Sequence, residues 1–203
     1  MQVDGATVRN SAENIAESAL VELDGERVVV LGPGYFMLHK PIGVVCANSD
    51  PEHETVFDLF NDEPYDDLHV AGRLDLDTTG LVLITGDGKW SHRVMSPRFK
   101  CEKSYIAILP EAITERMIEK LEEGVMLQGE DTKTAPAKVE KIADDEIRLI
   151  ITEGRYHQVK RMLAAVGNSV SELHREKIGE IVLDESLQPG EYRALTEDEI
   201  NSV

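Results

Sequence analysis

The stretch Ala71-Gly72-Arg73-Leu74-Asp75-Leu76-Asp77-Thr78-Thr79-Gly80-Leu81 sets an arginine, two carboxylates and two hydroxyls directly before the apolar run Leu81-Val82-Leu83-Ile84. A run of that length, closed by Gly86-Asp87-Gly88, reads as a buried strand, so the polar cluster is a loop that feeds the core. A loop pinned to a core strand holds a carboxylate in a fixed place, and Arg73 supplies a nearby positive charge that keeps Asp75 ionised. Asp75 can then serve as nucleophile or base. The same residues also fit an Asx-turn beside a salt bridge.

At 203 residues the chain can bury one sizeable core, or one domain with a small appendage. No apolar run approaches the roughly 20 residues needed to span a bilayer. The N-terminus Met1-Gln2-Val3-Asp4-Gly5 has no basic segment followed by an apolar one, so a cytoplasmic protein is expected. Cys46 and Cys101 match no metal spacing and are expected as reduced, partly buried thiols.

A net charge of -18 argues against a nucleic-acid partner, because phosphates are bound by Lys and Arg. The acidity is segregated, however. Asp50, Glu52, Glu54, Asp58, Asp62, Glu63, Asp66 and Asp67 follow one another with no Lys or Arg among them. By contrast, Lys89, Arg93, Arg98, Lys100 and Lys103 are interrupted only by Glu102, and Arg155, Lys160, Arg161, Arg175 and Lys177 form a second basic stretch with His157 and His174. A local basic surface is compatible with this placement, as are solvated ion pairs.

In chain order, residues 1 to about 32 read as strand, turn and strand, with a tight turn at Val3-Asp4-Gly5 and a β-prone run at Arg27-Val28-Val29-Val30-Leu31. Gly32-Pro33-Gly34 marks a domain boundary. Tyr35 to Cys46 reads as two strands around a Pro-x-Gly turn, and Thr55 can cap a short helix over Val56–Phe60. Asp87 caps a helix that ends at Ser96-Pro97, with Trp90 in the core. Cys101–Leu109 is a strand on which Lys103 and Tyr105 share a face. Ile113, Met117, Ile118, Leu121 and Val125 recur at helical spacing. Two paired strands follow across Asp144-Asp145. Val159, Met162, Leu163 and Val166 form the stripe of a helix closed by Gly167. Pro189-Gly190 turns into a last strand, and Thr196 caps the terminal helix.

Gly72-Arg73-Leu74-Asp75-Leu76-Asp77-Thr78-Thr79-Gly80-Leu81 resembles the G-R-L-D-x-D-T-[ST]-G-L signature of pseudouridine synthases of the RsuA and RluA families. His39-Lys40-Pro41-Ile42-Gly43, Lys103-Ser104-Tyr105, Glu153-Gly154-Arg155-Tyr156-His157-Gln158-Val159-Lys160-Arg161-Met162 and Leu173-His174-Arg175-Glu176-Lys177-Ile178-Gly179 resemble further elements of the family in the same order. The wording is closest to RsuA.

The resemblance implies an α+β fold with a central mixed, mostly antiparallel sheet flanked by helices, catalytic over residues 33–203. Residues 1–32 resemble part of an S4-like domain whose basic helical half is absent. It implies Asp75 as the catalytic carboxylate, Arg73 and Lys160 as its orienting cations, Tyr105 as the base-stacking residue near the proton to be moved, and Leu173 as packing. Lys160 stands where the broad family has Arg, so charge is retained without the bidentate fork.

Lys40, Arg93, Lys103, Arg155, His157, Arg161 and Arg175 are the expected RNA contacts. The implied reaction breaks C1′–N1 of a uridine, turns the base and joins C1′ to C5, with no metal or cofactor. The implied substrate is small-subunit (16S) ribosomal RNA at uridine-516, free or in an assembly intermediate, acted on by a monomer. Large-subunit (23S) RNA is the alternative within the family. A non-catalytic ribosome-assembly factor, or a hydrolase needing a second carboxylate that Asp77 is poorly placed to supply, stand outside it.

Overall fold

A computed structural model describes residues 1–9, 20–28, 33–60 and 67–203. The chain divides into two compact units, Met1–Gly32 and Pro33–Val203.

In the first unit β1 (Gln2–Val3), β2 (Ala6–Thr7), β3 (Val21–Leu23) and β4 (Glu26–Val28) form an antiparallel sheet in the order β2-β1-β3-β4. Two Asp-Gly pairs make its tight turns: Asp4-Gly5 has φ 49° and 79°, and Asp24-Gly25 has φ 54° and 87°. Successive positive φ angles give the turn twist that hairpins prefer. The expected run beyond Val28 lies outside the described residues.

The second unit is built on one large sheet. Its strands are β5 (Tyr35–Lys40), β6 (His69–Val70), β7 (Thr78–Thr85), β8 (Lys103–Ile108), β9 (Lys138–Lys141), β10 (Glu146–Ile151), β11 (Glu172–Ile178), β12 (Ile181–Val182) and β13 (Tyr192–Ala194). The order is β13-β5-β7-β11-β8-β10-β9, with β6 added on β7 and β12 on β11. Among the described residues β7 and β11 are the one parallel pair, so the sheet is mixed and mostly antiparallel.

Helices α1 (Gly88–Met95), α2 (Glu115–Glu123), α3 (Gln158–Ala165) and α4 (Glu197–Asn201) flank it, which makes the unit α+β. None of the described helices is long and apolar enough to cross a membrane.

Strand β7 is buried on both faces, which explains its unbroken apolar run. Val82 and Ile84 pack with Leu38, Ala107, Leu149, Val159, Met162 and Leu163 on the side of α3. Leu81 and Leu83 pack on the opposite side with Met37, Trp90, Val94 and Ile178. Each of the larger aliphatic side chains among them contributes roughly 1.5–3 kcal/mol by leaving water. Trp90 is buried, donates to the Ile200 carbonyl at 2.9 Å and meets Tyr35 edge-on. Asp87 caps α1 by accepting from the backbone of Lys89 and Trp90.

Two expectations are corrected. After β5 the chain makes a turn, and Val45 forms only an isolated bridge to Thr55 rather than a second strand. Val56–Phe60 is a pair of turns and not a helix: the Asp58 carboxylate folds back to accept from the Thr55 amide at 2.7 Å and hydroxyl at 2.9 Å. A segment this short gains little from helix propagation, and the closed turn satisfies the same groups locally.

At the C-terminus Arg193 bridges Asp184 (2.7 Å) and Glu199 (2.8 Å), while Glu199 and Thr196 complete a capping box. The Arg193 bond holds the Glu199 carboxyl down at about 2, from its ordinary 4.5. A depressed carboxylate contributes stability above its ordinary value and loses it as pH falls through the folded one. The gap in melting temperature between wild type and Glu199→Gln is therefore expected to be full above about pH 4.5 and to close as pH falls through about 2, read by thermal melts across pH.

Candidate active site

The loop before β7 is held from two sides by buried cations. Arg175, on β11, donates to the carbonyls of Leu81 (2.8 Å), Gly72 (2.7 Å) and Arg73 (3.4 Å). Lys40, at the end of β5, donates to the carbonyls of Thr78 (2.8 Å) and Pro41 (2.8 Å), with Leu76 at 3.5 Å. Burial pulls the Lys40 ammonium below its ordinary range, and Cys46 and the carboxyls of Asp77 and Asp75 partly offset this. The Leu74 amide donates to the Cys46 thiol at 3.3 Å. Backbone groups on both sides of Asp75 thus have fixed partners, which fixes the point from which its side chain projects.

Asp75 opens into a cleft of about 560 Å³. The N-terminus of α3 faces it: Lys160 Nζ lies 2.9 Å from Asp75 Oδ2 and also bonds Asp77, while His157 Nε2 lies 3.4 Å from Asp75 Oδ1. Burial pulls the Lys160 ammonium down, but its bonds to Asp77 and Asp75 outweigh that and leave it above its ordinary value. The Lys160 bond in turn holds the Asp77 carboxyl below the usual range.

Tyr105 lies in the cleft wall, largely buried, with its hydroxyl 3.4 Å from Arg175 Nη1. Leu173 lines the same cleft. The buried Thr78 hydroxyl also lines the cleft and has no hydrogen-bond partner among the described residues.

The segment that delivers Lys160 has its own scaffold. Glu153 accepts from the Ala135 amide (3.0 Å) and the Gln158 side chain (2.8 Å), and Gln158 accepts from the Arg155 amide (2.8 Å). Arg155 donates to the carbonyls of Thr132 and Lys133, and Arg161 to those of Gln128 and Tyr156; both also pair with Glu130.

Asp75, Lys160, Tyr105, Leu173 and His157 are therefore gathered in one cleft, and Arg73, Lys103, Arg155 and Arg175 also contribute to its lining. Several of the expected residues make contacts that the sequence did not suggest. Arg73 is exposed, and among the described residues its guanidinium pairs with no carboxylate; the cation on Asp75 is Lys160, from α3, instead. Lys40, Lys103 and Arg175 are buried on backbone carbonyls, Lys103 on those of Val94 (2.7 Å) and Cys101 (2.8 Å). Arg155 and Arg161 spend their donors on the 128–133 loop, and Arg93 donates to the Val203 carbonyl at 3.3 Å.

Sequence reasoning expected Cys46 as a reduced, partly buried thiol but gave it no partner, and gave Glu153 and Gln158 no role. Only the motif around the latter two carried any signal.

Residues 34–165 match the RNA pseudouridylate synthase family. The chain is 55% identical over 203 residues to Ribosomal small subunit pseudouridine synthase A of Escherichia coli strain K12, covering 99% of this chain and 87% of that protein. It is 50% identical over 201 residues to the protein of that name from Vibrio cholerae serotype O1, with the same coverage of 99% and 87%. A solved crystal structure of a pseudouridylate synthase superimposes with TM-score 0.81 at 46% identity, over 99% of this chain and 87% of that one.

Proposed function

The chain belongs to the RNA pseudouridylate synthase family as an RsuA-type small-subunit enzyme, and from that premise we propose that it isomerises uridine-516 of 16S ribosomal RNA with Asp75 as the reacting carboxylate. The observation that carries this reading is the Asp75 carboxylate, in a cleft with a tyrosine wall, touched by Lys160 and His157. A protein that only binds RNA gains nothing from a carboxylate among phosphates.

The target C5 is inaccessible in a stacked helix, so the uridine is turned out into the cleft, which costs a few kcal/mol. Asp75 either attacks C1′ or removes the C2′ proton. In both routes the C1′–N1 bond breaks with its electron pair going to the ring. The ring turns, C5 bonds to C1′ as the Asp75–C1′ ester bond breaks in the first route or as Asp75 returns the proton to C2′ in the second, and the C5 proton is lost as N1 gains one, so atoms balance with no redox step and no cofactor. Tyr105 stacks on the ring and passes the C5 proton. Lys160 orients Asp75, and Arg73, exposed at the cleft, faces the RNA backbone. The enzyme works as a cytoplasmic monomer on free RNA or an assembly intermediate.

The test is incubation with unmodified small-subunit ribosomal RNA, bare and partly assembled, followed by carbodiimide labelling and primer extension. One new stop at uridine-516 supports the reading. A stop in large-subunit RNA instead moves the substrate, and no stop in either overturns the enzyme assignment for this chain acting alone.

Lys160→Met is expected to lower kcat about 10- to 100-fold, the equivalent of one charge-assisted hydrogen bond. Lys160→Arg is expected to recover most of it, because charge and reach are kept. Single-turnover rates on the same RNA check both, and an unchanged rate in Lys160→Met removes Lys160 from the site.

A further inference from the structure

Tyr156 stands at the lip of the cleft, 75% exposed. Its orientation is nonetheless fixed. The ring stacks on the His157 imidazole with centroids 3.8 Å apart and planes at 20°. His157 is held in a left-handed backbone conformation, φ 47°, and reaches Asp75 at 3.4 Å. Arg161 donates to the Tyr156 carbonyl at 3.0 Å. Among the described residues the phenol makes no hydrogen bond, so the side chain is not anchored by its oxygen. One face of the ring is covered by a residue that touches the reacting carboxylate, and the exposure lies on the rest. Met95, 42% exposed, is an apolar residue lining the same cleft.

We propose that Tyr156, backed by His157, is a stacking platform for the nucleobase that adjoins the target uridine in the RNA chain. This rests on the functional reading above. A uridine turned out of its stack leaves the adjoining base with a bare face. Tyr105, buried in the cleft wall, serves the target ring, and Tyr156 meets the chain where it enters. Stacking of a base on an aromatic side chain tolerates any base, and its loss weakens binding about tenfold or more. The platform therefore positions RNA without taking part in bond making.

The probes are two short single-stranded RNAs with one uridine each, carrying 2-aminopurine on its 3′ side or its 5′ side, bound to the Asp75→Asn protein so that no turnover occurs. One of them is expected to lose fluorescence on binding. Tyr156→Ala in the same background abolishes that quench and weakens binding about tenfold, while Tyr156→Trp keeps both. In the active protein Tyr156→Ala raises KM about tenfold with kcat within about twofold, and Tyr156→Phe returns KM toward wild type.

The proposal is overturned if neither RNA is quenched, if Tyr156→Ala leaves quench and KM unchanged, or if kcat falls at constant KM. The last result assigns the ring to propping His157 against Asp75. Should the wild type form no pseudouridine, the functional reading fails, and the quench still decides the platform.

Discussion

Asp75→Asn is expected to lose at least about 10⁴-fold in turnover while keeping the fold, because an amide can neither attack C1′ nor take a proton from C2′. Asparagine has the shape of aspartate and keeps an oxygen acceptor for Lys160 or His157, so the contacts at 2.9 and 3.4 Å are weakened rather than replaced by a void. The Asp75 side chain is 28% exposed, and ion pairs of that kind contribute about 0–1 kcal/mol. The melting temperature should consequently move by only a few degrees. Release of tritium from C5-labelled uridine in RNA measures the chemistry, and a thermal melt measures the fold. Activity retained within about tenfold of wild type would remove Asp75 from its role.

The largest effect on stability is expected at Gly80, where β7 and β11 run parallel and touch. A Cβ on Gly80 would stand 2.3 Å from the Arg175 carbonyl oxygen and 2.7 Å from its amide nitrogen, and the residue's φ is +108°. All the obstructing atoms are backbone in the middle of a sheet, so neither strand can yield without breaking pairing. Overpacking and dihedral strain together put Gly80→Ala about 3–5 kcal/mol below wild type. For a chain of this size that lowers the melting temperature by roughly 6–20 °C.

Gly43 is the control. It also has positive φ, +85°, but nothing lies within 4 Å of its Cβ position, so Gly43→Ala should cost only about 1 kcal/mol. Equal losses in the two variants would show that the strand contact is not what demands glycine at Gly80.

Elements with strong periodicity and a cap were legible in the sequence: α1 behind Asp87, the stripe of α3, the β7 run, and the α+β class. The segment around Asp75 was legible as a loop pinned to a core strand. Its supports were not. A lysine beside a turn reads as solvated, yet Lys40 and Arg175 are buried because the loop they hold leaves carbonyls in the interior that no strand can pair. Arg155 and Arg161 read as a basic surface, but the 128–133 loop that consumes their donors is far from them in sequence. Arg73 was assigned to Asp75 by proximity in sequence, whereas the structure brings α3 there across the cleft. Short-range pattern carries local structure, while the partner of a long cationic side chain is a property of the whole topology.

The parallel pairing of β7 with β11 also governs when this cleft can exist. Arg175 reaches the Leu81 carbonyl across 94 positions of the chain, and β11 sits between β7 and β8 in the sheet. A nascent chain that has released β5 to β10 lacks the strand that joins its two halves, and the loop around Asp75 lacks the guanidinium that grips Gly72 and Arg73. Contacts of such long separation form late and slowly. Catalytic competence should thus appear as one of the last events of folding, after most of the sheet has been synthesised.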